Sequence, residues 1–253
     1  MLLIFSIIFG AIVGSFLNVC ILRLPKEESI ITPGSHCPHC NTPIKFYDNI
    51  PLVSYVLLKG RCRYCHNPIS IQYPLVEGIA ALGSFLLFLR FGPSVAYLIY
   101  FAFLSALIVI TVIDLDIQEI PTVVSVPGIG AGLLASLVLP QTTFVESLSG
   151  ALIGAGSLYL VAKVYYLLTG REGMGLGDAD LLAMIGAFLG WKGVILTILL
   201  SSLIGSITGI IIMVSKGKDF KYAIPFGPFL SLGAVIALFY GENIIRWYLY
   251  VNR

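Results

Sequence analysis

Long runs of apolar residues recur through almost the whole chain, and they constrain its fold more than any other feature. The first run covers residues 2–22, and the others follow residue 73. We place these later runs near residues 74–90, 94–113, 121–139, 144–168, 178–190, 192–214 and 226–249. A helix needs roughly 20 apolar residues to cross a bilayer. The pattern therefore predicts an all-α polytopic membrane protein with about eight transmembrane helices.

The overall composition agrees with a membrane protein and disagrees with a soluble one. Only 11% of the residues are charged, whereas a soluble domain has roughly 25%. The mean hydropathy is +0.96. The stretch from Met1 to Cys20 has neither a basic start nor a small-residue cleavage site, so we interpret it as a retained first helix. We expect a lipid bilayer around the chain and no nucleic-acid partner, while the sequence does not predict the oligomeric state.

Basic residues predict how the chain crosses the membrane. The polar segment 23–73 holds the strongest basic cluster, which places it in the cytoplasm by the positive-inside rule. The run at 178–190 is short, because as a helix it covers only about 20 Å. If it did not cross, Lys216, Lys218 and Lys221 would lie outside, against that rule. We therefore expect eight crossings, with both termini outside.

The same reasoning predicts three parts along the chain. Residues 1–22 form the first transmembrane helix, residues 23–73 form a cytoplasmic loop domain, and residues 74–253 form a seven-helix membrane domain.

Four cysteines in the polar segment form two C-x-x-C pairs. Cys37 and Cys40 make the first pair, and Cys62 and Cys65 make the second after a spacer of 21 residues. Each pair continues as C-x-x-C-x-x-P-I, which indicates two similar knuckles. Four thiolates suit a closed, tetrahedral, structural zinc site. Disulfides or free thiols are the alternative, although a cytoplasmic location disfavours disulfides.

Three histidines, His36, His39 and His66, flank these cysteines. We do not expect them to bind the metal, because four cysteines already complete a tetrahedral shell.

Two acidic stretches interrupt the apolar runs of the second half. One contains Asp114 and Asp116, and the other, residues 173–180, contains Asp178 and Asp180. Carboxylates in such surroundings are costly unless they have a partner or a function. Two close carboxylates that share one proton can act as the acid and the base in hydrolysis of an amide.

Spacing determines which aspartates could form such a pair. Two residues that are two positions apart on a helix point in different directions. The expected pair therefore takes one aspartate from each stretch. Gly173, Gly175 and Gly177 precede Asp178 and would allow close approach of an extended substrate. The alternative is that these carboxylates only stabilise helix ends at the membrane surface.

Several motifs occurring in one order resemble the type IV prepilin peptidases, which are bifunctional leader peptidases and N-methyltransferases. The resemblance covers nearly the whole chain. It is carried by residues 10–25, by residues 49–65 with their flanking cysteines, by Tyr73 to Glu77, by Ile113 to Pro121, and by the G-x-G-D motif of residues 175–178.

The resemblance implies that Asp114 and Asp178 are the catalytic aspartates, and that Gly175 and Gly177 belong to the active-site loop. Asp116 and Asp180 would then be bystanders or tuning charges. One position departs from the pattern, because many members carry a lysine where this chain has Asp180.

The resemblance also implies the substrates and the second reaction. The substrates would be prepilin or pseudopilin precursors of a type IV pilus or type II secretion system. They have a short basic leader, a glycine before the cut, and an apolar helix that begins with phenylalanine. The protein would lie in the bacterial inner membrane with its active site facing the cytoplasm. S-adenosylmethionine would then methylate the new amino group.

The methyl-transfer residues are less clearly marked. The chain has no glycine-rich turn of the soluble methyltransferase kind, so the candidates are polar groups that flank the first loop: Asn18, Arg23 and Glu77. The alternative for Arg23 and Glu77 is that they simply pair with each other.

Two features of the apolar runs have structural interpretations. Gly10 and Gly14 form a G-x-x-x-G pair, and Gly205 and Gly209 form another, which would allow close helix packing. The stretch 224–228, which also resembles the family, looks like a break before the last helix.

Two hypotheses from different classes follow from these observations. The first is an eight-span membrane aspartic endopeptidase with a second methyltransferase activity. The second is a membrane transporter or scaffold whose zinc-stabilised loop binds a partner and whose aspartates form an ion site.

Overall fold

The computed structural model describes residues 1–170, 175–216 and 224–251, and its regular structure there is α-helical apart from short 3₁₀ helices at Leu24–Lys26 and Phe46–Asp48, with no β-strand in these ranges. The helices are α1 (Leu2–Arg23), α2 (Val53–Leu57), α3 (Gln72–Phe91), α4 (Val95–Ile117), α5 (Thr122–Ala135), α6 (Phe144–Thr169), α7 (Leu176–Lys216) and α8 (Gly227–Val251).

Six of the described helices are long and apolar enough to cross a membrane, namely α1, α3, α4, α6, α7 and α8. The all-α membrane fold predicted from the sequence is therefore confirmed. Helix α5 is apolar but has only 14 residues, and it ends before the predicted boundary at residue 139.

Helix α7 is broken at Gly190, which explains why the apolar run at 178–190 is so short. Gly190 has φ 69° and ψ 177°, a backbone conformation almost confined to glycine. A Cβ atom on Gly186 would lie 2.8 Å from Cγ2 of Val194, eight positions further on. Eight residues of straight helix rise about 12 Å. The chain therefore bends sharply at Gly190, and residues 176–189 and 191–216 form two separate segments.

Hydroxyl groups and glycines accommodate this break. Ser147 Oγ donates a hydrogen bond to the carbonyl of Ala187, and Thr142 Oγ1 donates to the carbonyl of Phe188. Gly150 of α6 faces the break, since a Cβ atom there would lie 2.6 Å from the carbonyl carbon of Gly190. The absence of side chains lets the α6 and α7 backbones meet directly.

Contacts divide the chain into two compact units, Met1–Val109 and Ile110–Arg253. The division falls within α4, so the boundaries expected at residues 22 and 73 stay a prediction.

In the first unit, α1 packs antiparallel against α3 through its glycines. A Cβ atom on Gly10 would lie 2.6 Å from Cβ of Ser84, and one on Gly14 would lie 2.7 Å from Cα of Glu77. The close approach predicted from this G-x-x-x-G pair is confirmed. Ser84 also donates a 2.7 Å hydrogen bond to the carbonyl of Ser6, which ties the two helices together.

In the second unit, the two segments of α7 have different neighbours. The segment before Gly190 packs on α5 and α6, because a Cβ atom on Gly132 would lie 2.7 Å from Cβ of Ala187. The segment after Gly190 packs on α8, where Ser201 Oγ donates a 2.9 Å hydrogen bond to the carbonyl of Phe229.

The second G-x-x-x-G pair contributes less than its pattern predicts. Cβ atoms on Gly205 and Gly209 would lie 3.6 Å and 3.9 Å from their nearest neighbours, which are ordinary contact distances. The predicted break before the last helix is confirmed, because α8 begins at Gly227.

Candidate functional site

The four cysteines of the polar segment form one cluster. The Sγ atoms of Cys37, Cys40, Cys62 and Cys65 all lie within 4.8 Å of one another, and those of Cys37 and Cys65 are 3.8 Å apart. Two thiolates on a tetrahedral zinc ion are also about 3.8 Å apart, since each Zn–S bond is about 2.3 Å long. A disulfide would bring two sulfurs to about 2.05 Å. The donor set therefore fits a four-coordinate metal, and all four thiols are free.

The repeat predicted from the sequence is visible in the backbone. Asn41 and His66 each follow the second cysteine of a pair, and both have positive φ, 54° and 57°. Asn41 N–H donates to the carbonyl of Cys37 at 2.9 Å, and His66 N–H donates to that of Cys62 at 3.0 Å. Each C-x-x-C pair thus forms the same tight turn, and the two turns present their thiols to one point.

Charged groups support this loop. Arg63 donates to both carboxylate oxygens of Asp48, with a shortest N–O distance of 2.6 Å, and this contact lowers the pKa of Asp48. Hydrogen bonding to the Thr42 side chain lowers the pKa of the Cys40 thiol to about 6. This hydrogen bond favours the thiolate of Cys40, and a thiolate is the form of cysteine that binds a metal.

Asp114 lies in the last turn of α4 and is buried, with 4% of its surface exposed. The backbone N–H of Gly227 donates a 3.0 Å hydrogen bond to its Oδ2. Gly227 is the first residue of α8, and the first N–H groups of a helix lack partners within it. Asp116, two positions on, is exposed. The structure thus separates the two aspartates of this stretch as a helix predicts.

Ile120 connects the surroundings of Asp114 to the G-x-G-D motif. A Cβ atom on Gly177 would lie 2.8 Å from Cβ of Ile120. A Cβ atom on Gly227 would lie 3.4 Å from Cδ1 of Ile120 and 2.6 Å from Oδ2 of Asp114. A side chain at residue 177 or 227 would clash with these neighbours, so both positions require glycine. The start of α7, the end of α4 and the start of α8 meet here.

Asp178 lies in the first turn of α7, directly after Gly177, and is partly buried. Gly177, the residue before it, and Gly227, which binds Asp114, both pack against Ile120, so the two aspartates expected to pair lie in the same region. Asp180 is also partly buried. Nothing in the structure explains why this chain has an aspartate where many members of the resembling family have a lysine.

Of the glycines before Asp178, two can be placed. Among the described residues, a Cβ atom on Gly175 would meet only the backbone nitrogen of Gly177, at 4.0 Å. Gly173 lies outside the described residues, as do Lys218 and Lys221.

Sequence reasoning missed the role of Gly227. The stretch 224–228 predicts a helix break with close helix packing or a hinge, or a substrate contact, and does not identify Asp114 as the partner of Gly227. Its amide is the one hydrogen-bond donor to the Asp114 side chain found within the described ranges.

The three methyl-transfer candidates line one cavity of about 500 Å³ in the first unit. Arg23 donates to the carbonyls of Ser29 and Pro33, at 2.8 Å and 2.7 Å. Glu77 accepts a 2.7 Å hydrogen bond from the backbone N–H of Leu52. The pairing of Arg23 with Glu77, considered as an alternative, is therefore wrong. The guanidinium holds the loop after α1 instead.

Two protein families match the chain, one in each half. Residues 8–91 match the Bacterial Peptidase A24 N-terminal domain, and residues 101–210 match the Type IV leader peptidase family.

Similar proteins include three named "Prepilin leader peptidase/N-methyltransferase". Those of Aeromonas hydrophila and Pseudomonas aeruginosa are each 38% identical, over 96% of this chain and 92% of their own length. That of Pseudomonas putida is 35% identical, over 94% of this chain and 90% of its own length. A comparison with solved structures finds no match.

Proposed function

Since this chain belongs to the type IV leader peptidase family, we propose that it removes the leader peptide of type IV prepilin-like precursors at the cytoplasmic face of the bacterial inner membrane. The chain is a multi-pass membrane enzyme, a peptidase and an N-methyltransferase. Family membership thereby decides between the two hypotheses in favour of the enzyme over the transporter or scaffold.

The peptidase reaction is assigned to Asp114 and Asp178. One carboxylate takes a proton from a water molecule, which attacks the carbonyl carbon of the scissile peptide bond. The other, protonated, donates its proton to the leaving nitrogen. Two carboxylates that interact electrostatically favour a shared proton, because both cannot easily be charged at once. The observation that carries this assignment is that Gly177, next to Asp178, and Gly227, which binds Asp114, both pack against Ile120, so that aspartates from two separate helices lie in one region.

Neighbouring backbone groups support the geometry. The Gly227 N–H holds one oxygen of Asp114. The start of α7 carries a partial positive charge that favours a carboxylate at Asp178. The lack of a side chain at Gly175 suits close approach of an extended substrate backbone.

The orientation rests on charge. The first loop and the segment at 215–225 together carry nine of the 15 lysines and arginines, which favours the cytoplasm for both. A substrate whose basic leader stays in the cytoplasm would present its cleavage site on that side.

The four cysteines would hold a structural zinc ion. Zinc would stabilise the loop by joining its two knuckles, and it would take no part in proteolysis, because a four-thiolate shell leaves no open position.

The second reaction is transfer of a methyl group from S-adenosylmethionine to the new N-terminal amine. The neutral amine nitrogen attacks the methyl carbon, the carbon–sulfur bond breaks, sulfur keeps the electron pair, and the nitrogen then loses a proton. Asn18, Arg23 and Glu77 are assigned to this step, either directly or by shaping the cavity.

One assay tests both reactions. Purified protein is incubated with a synthetic prepilin and S-adenosylmethionine carrying a labelled methyl group, and the products are identified by mass spectrometry. We expect a product that begins after the leader glycine and carries one labelled methyl group. An intact substrate would contradict the peptidase proposal, and a cleaved but unlabelled product would contradict the methyltransferase proposal.

A further inference from the structure

The cavity of the first unit has the size of a small-molecule site. Its volume of about 500 Å³ lies within the range of roughly 300–1,000 Å³ typical of ligand pockets. The end of α1, the start of α3 and the loop between them form its walls. It lies apart in sequence from Asp114 and Asp178, which belong to the second unit.

The wall of this cavity includes a hydrogen-bond acceptor without a donor, the side-chain oxygen of Asn18. Asn18 is 3% exposed, and its side-chain N–H groups donate to the carbonyls of Tyr73, at 3.1 Å, and Gly14, at 3.3 Å. These two bonds fix the orientation of the amide. Its Oδ1 is buried and has no hydrogen-bond partner within the part of the chain that the structure describes. Such a group costs free energy unless a ligand or water satisfies it.

A buried carboxylate lies on the same cavity without a cation. Glu77 is 7% exposed, and its carboxylate accepts a hydrogen bond from the Leu52 N–H, which is neutral. No lysine or arginine of the described ranges forms an ion pair with it. Arg23 binds loop carbonyls, and Arg63, which also lines the cavity, pairs with Asp48. A buried carboxylate is normally paired.

We propose that this cavity binds an organic cation, with the Glu77 carboxylate against the positive charge and Asn18 Oδ1 accepting from an N–H group. This inference rests on the proposed methyl transfer and specifies the chemistry of its site. Two participants in that reaction carry such a cation. S-adenosylmethionine has a sulfonium, and the cleaved substrate has a new N-terminal ammonium.

Binding measurements on the purified full-length protein distinguish these sources. The probes are S-adenosylmethionine, its uncharged-sulfur product S-adenosylhomocysteine, and a peptide beginning with phenylalanine, with a free or an acetylated N-terminus. Glu77→Gln keeps the shape and an acceptor for Leu52 but removes the charge. We expect Glu77→Gln to reduce at least fivefold one of two affinity ratios: that of S-adenosylmethionine to S-adenosylhomocysteine, or that of the free to the acetylated peptide. A change in the first ratio identifies the sulfonium as the bound cation, and a change in the second identifies the N-terminal ammonium.

Two further variants separate charge from folding. Glu77→Asp keeps the charge, and we expect it to retain the preference that Glu77→Gln loses. Glu27→Gln removes an exposed carboxylate that does not line the cavity, and should match the wild type.

Unchanged preferences in Glu77→Gln would overturn the inference, as would equal losses in Glu77→Gln and Glu77→Asp. If the wild type methylates the substrate while Glu77→Gln binds all probes as the wild type does, the cation-binding inference is wrong but the proposed methyl transfer stands. If the wild type neither methylates nor binds any probe, the proposed methyl transfer fails as well.

Discussion

The backbone N–H of Gly227 donates a 3.0 Å hydrogen bond to Oδ2 of Asp114, although the two residues are 113 positions apart. The contact joins the start of the last helix to the end of α4. It is possible only because residue 227 has no side chain, since a Cβ atom there would lie 2.6 Å from the same oxygen. A carboxylate held in this way has a defined orientation.

Replacement of either proposed catalytic aspartate should abolish proteolysis. Asp114→Asn and Asp178→Asn keep the size of the side chain but cannot share a proton. We expect each to reduce kcat/KM for prepilin cleavage by at least about 10²-fold, the lower end of what a positioned acid or base contributes.

The neighbouring aspartates provide matched controls for this experiment. Asp116→Asn and Asp180→Asn change the same functional group two positions away, and Asp116 is exposed. We expect both to retain most of the activity. Normal cleavage by Asp114→Asn, or a loss in Asp116→Asn as large as in Asp114→Asn, would contradict the assignment.

A methyl group at residue 177 or 227 should damage catalysis without changing any charge. Gly227→Ala pushes against Asp114, and Gly177→Ala pushes against Ile120. Displacement of a catalytic group by about 1 Å can cost on the order of 100-fold in rate. We expect kcat for prepilin cleavage to fall by about 10- to 100-fold in each variant. Gly130→Ala, whose added atom would meet nothing within 4 Å, is the control. If all three variants cleave equally fast, close packing at these glycines is irrelevant to catalysis.

Loss of one clustered cysteine should remove the metal. We expect the wild type to contain about one zinc ion per chain and Cys62→Ser to contain little, as measured by atomic spectroscopy, because a structural site needs all four ligands. Cys20→Ala changes the fifth cysteine, which lies in α1 outside the cluster, and should keep the metal.

The same variant tests whether the loop supports the second reaction. In Cys62→Ser we expect methyl transfer to fall more than cleavage, since the loop forms walls of the cavity that contains Glu77 and the proposed proteolytic aspartates lie on other segments. Methylation at the wild-type rate by the metal-free protein would contradict a role for the loop.

The break in α7 should depend on Gly190. In the conformation with φ 69° and ψ 177°, a side chain costs roughly 1–3 kcal/mol. We expect Gly190→Ala to lower the unfolding midpoint in detergent, followed by circular dichroism. Ser147→Ala leaves the Ala187 carbonyl without its side-chain donor and should cost about 1 kcal/mol. Gly156→Ala in α6, where an added atom meets open space, should not lower the midpoint.

Much of the fold, and the cysteine cluster of the site, can be predicted from patterns of residues close together in the sequence. Runs of apolar residues locate helices because a bilayer leaves the backbone no other way to satisfy its hydrogen bonds. Gly10 and Gly14 predict the contact of α1 with α3, because spacing by four places both on one helix face. The repeated C-x-x-C pairs predict the knuckles, since each turn is formed by residues close in the chain.

Arg23 shows where such prediction fails. Its charge, and that of Glu77 at the same membrane face, made an ion pair reasonable. In the structure, the carbonyls of Ser29 and Pro33 come within reach of the guanidinium, and the carboxylate is left to the Leu52 N–H. Which acceptor an arginine finds depends on the path of the loop, and the loop residues show no periodicity from which that path could be predicted.

By itself, the sequence determined that this chain crosses a membrane, carries four cysteines suited to one metal, and has two acidic stretches among apolar residues, where a charge is energetically unfavourable. Those properties depend on residue type and on short spacings. The tertiary structure decided that Asp114 is buried while Asp116 is exposed, that α7 bends at Gly190, and that Gly227 holds Asp114. Such relationships join residues far apart in the chain, and they are set by the packing of helices whose relative positions no local pattern encodes.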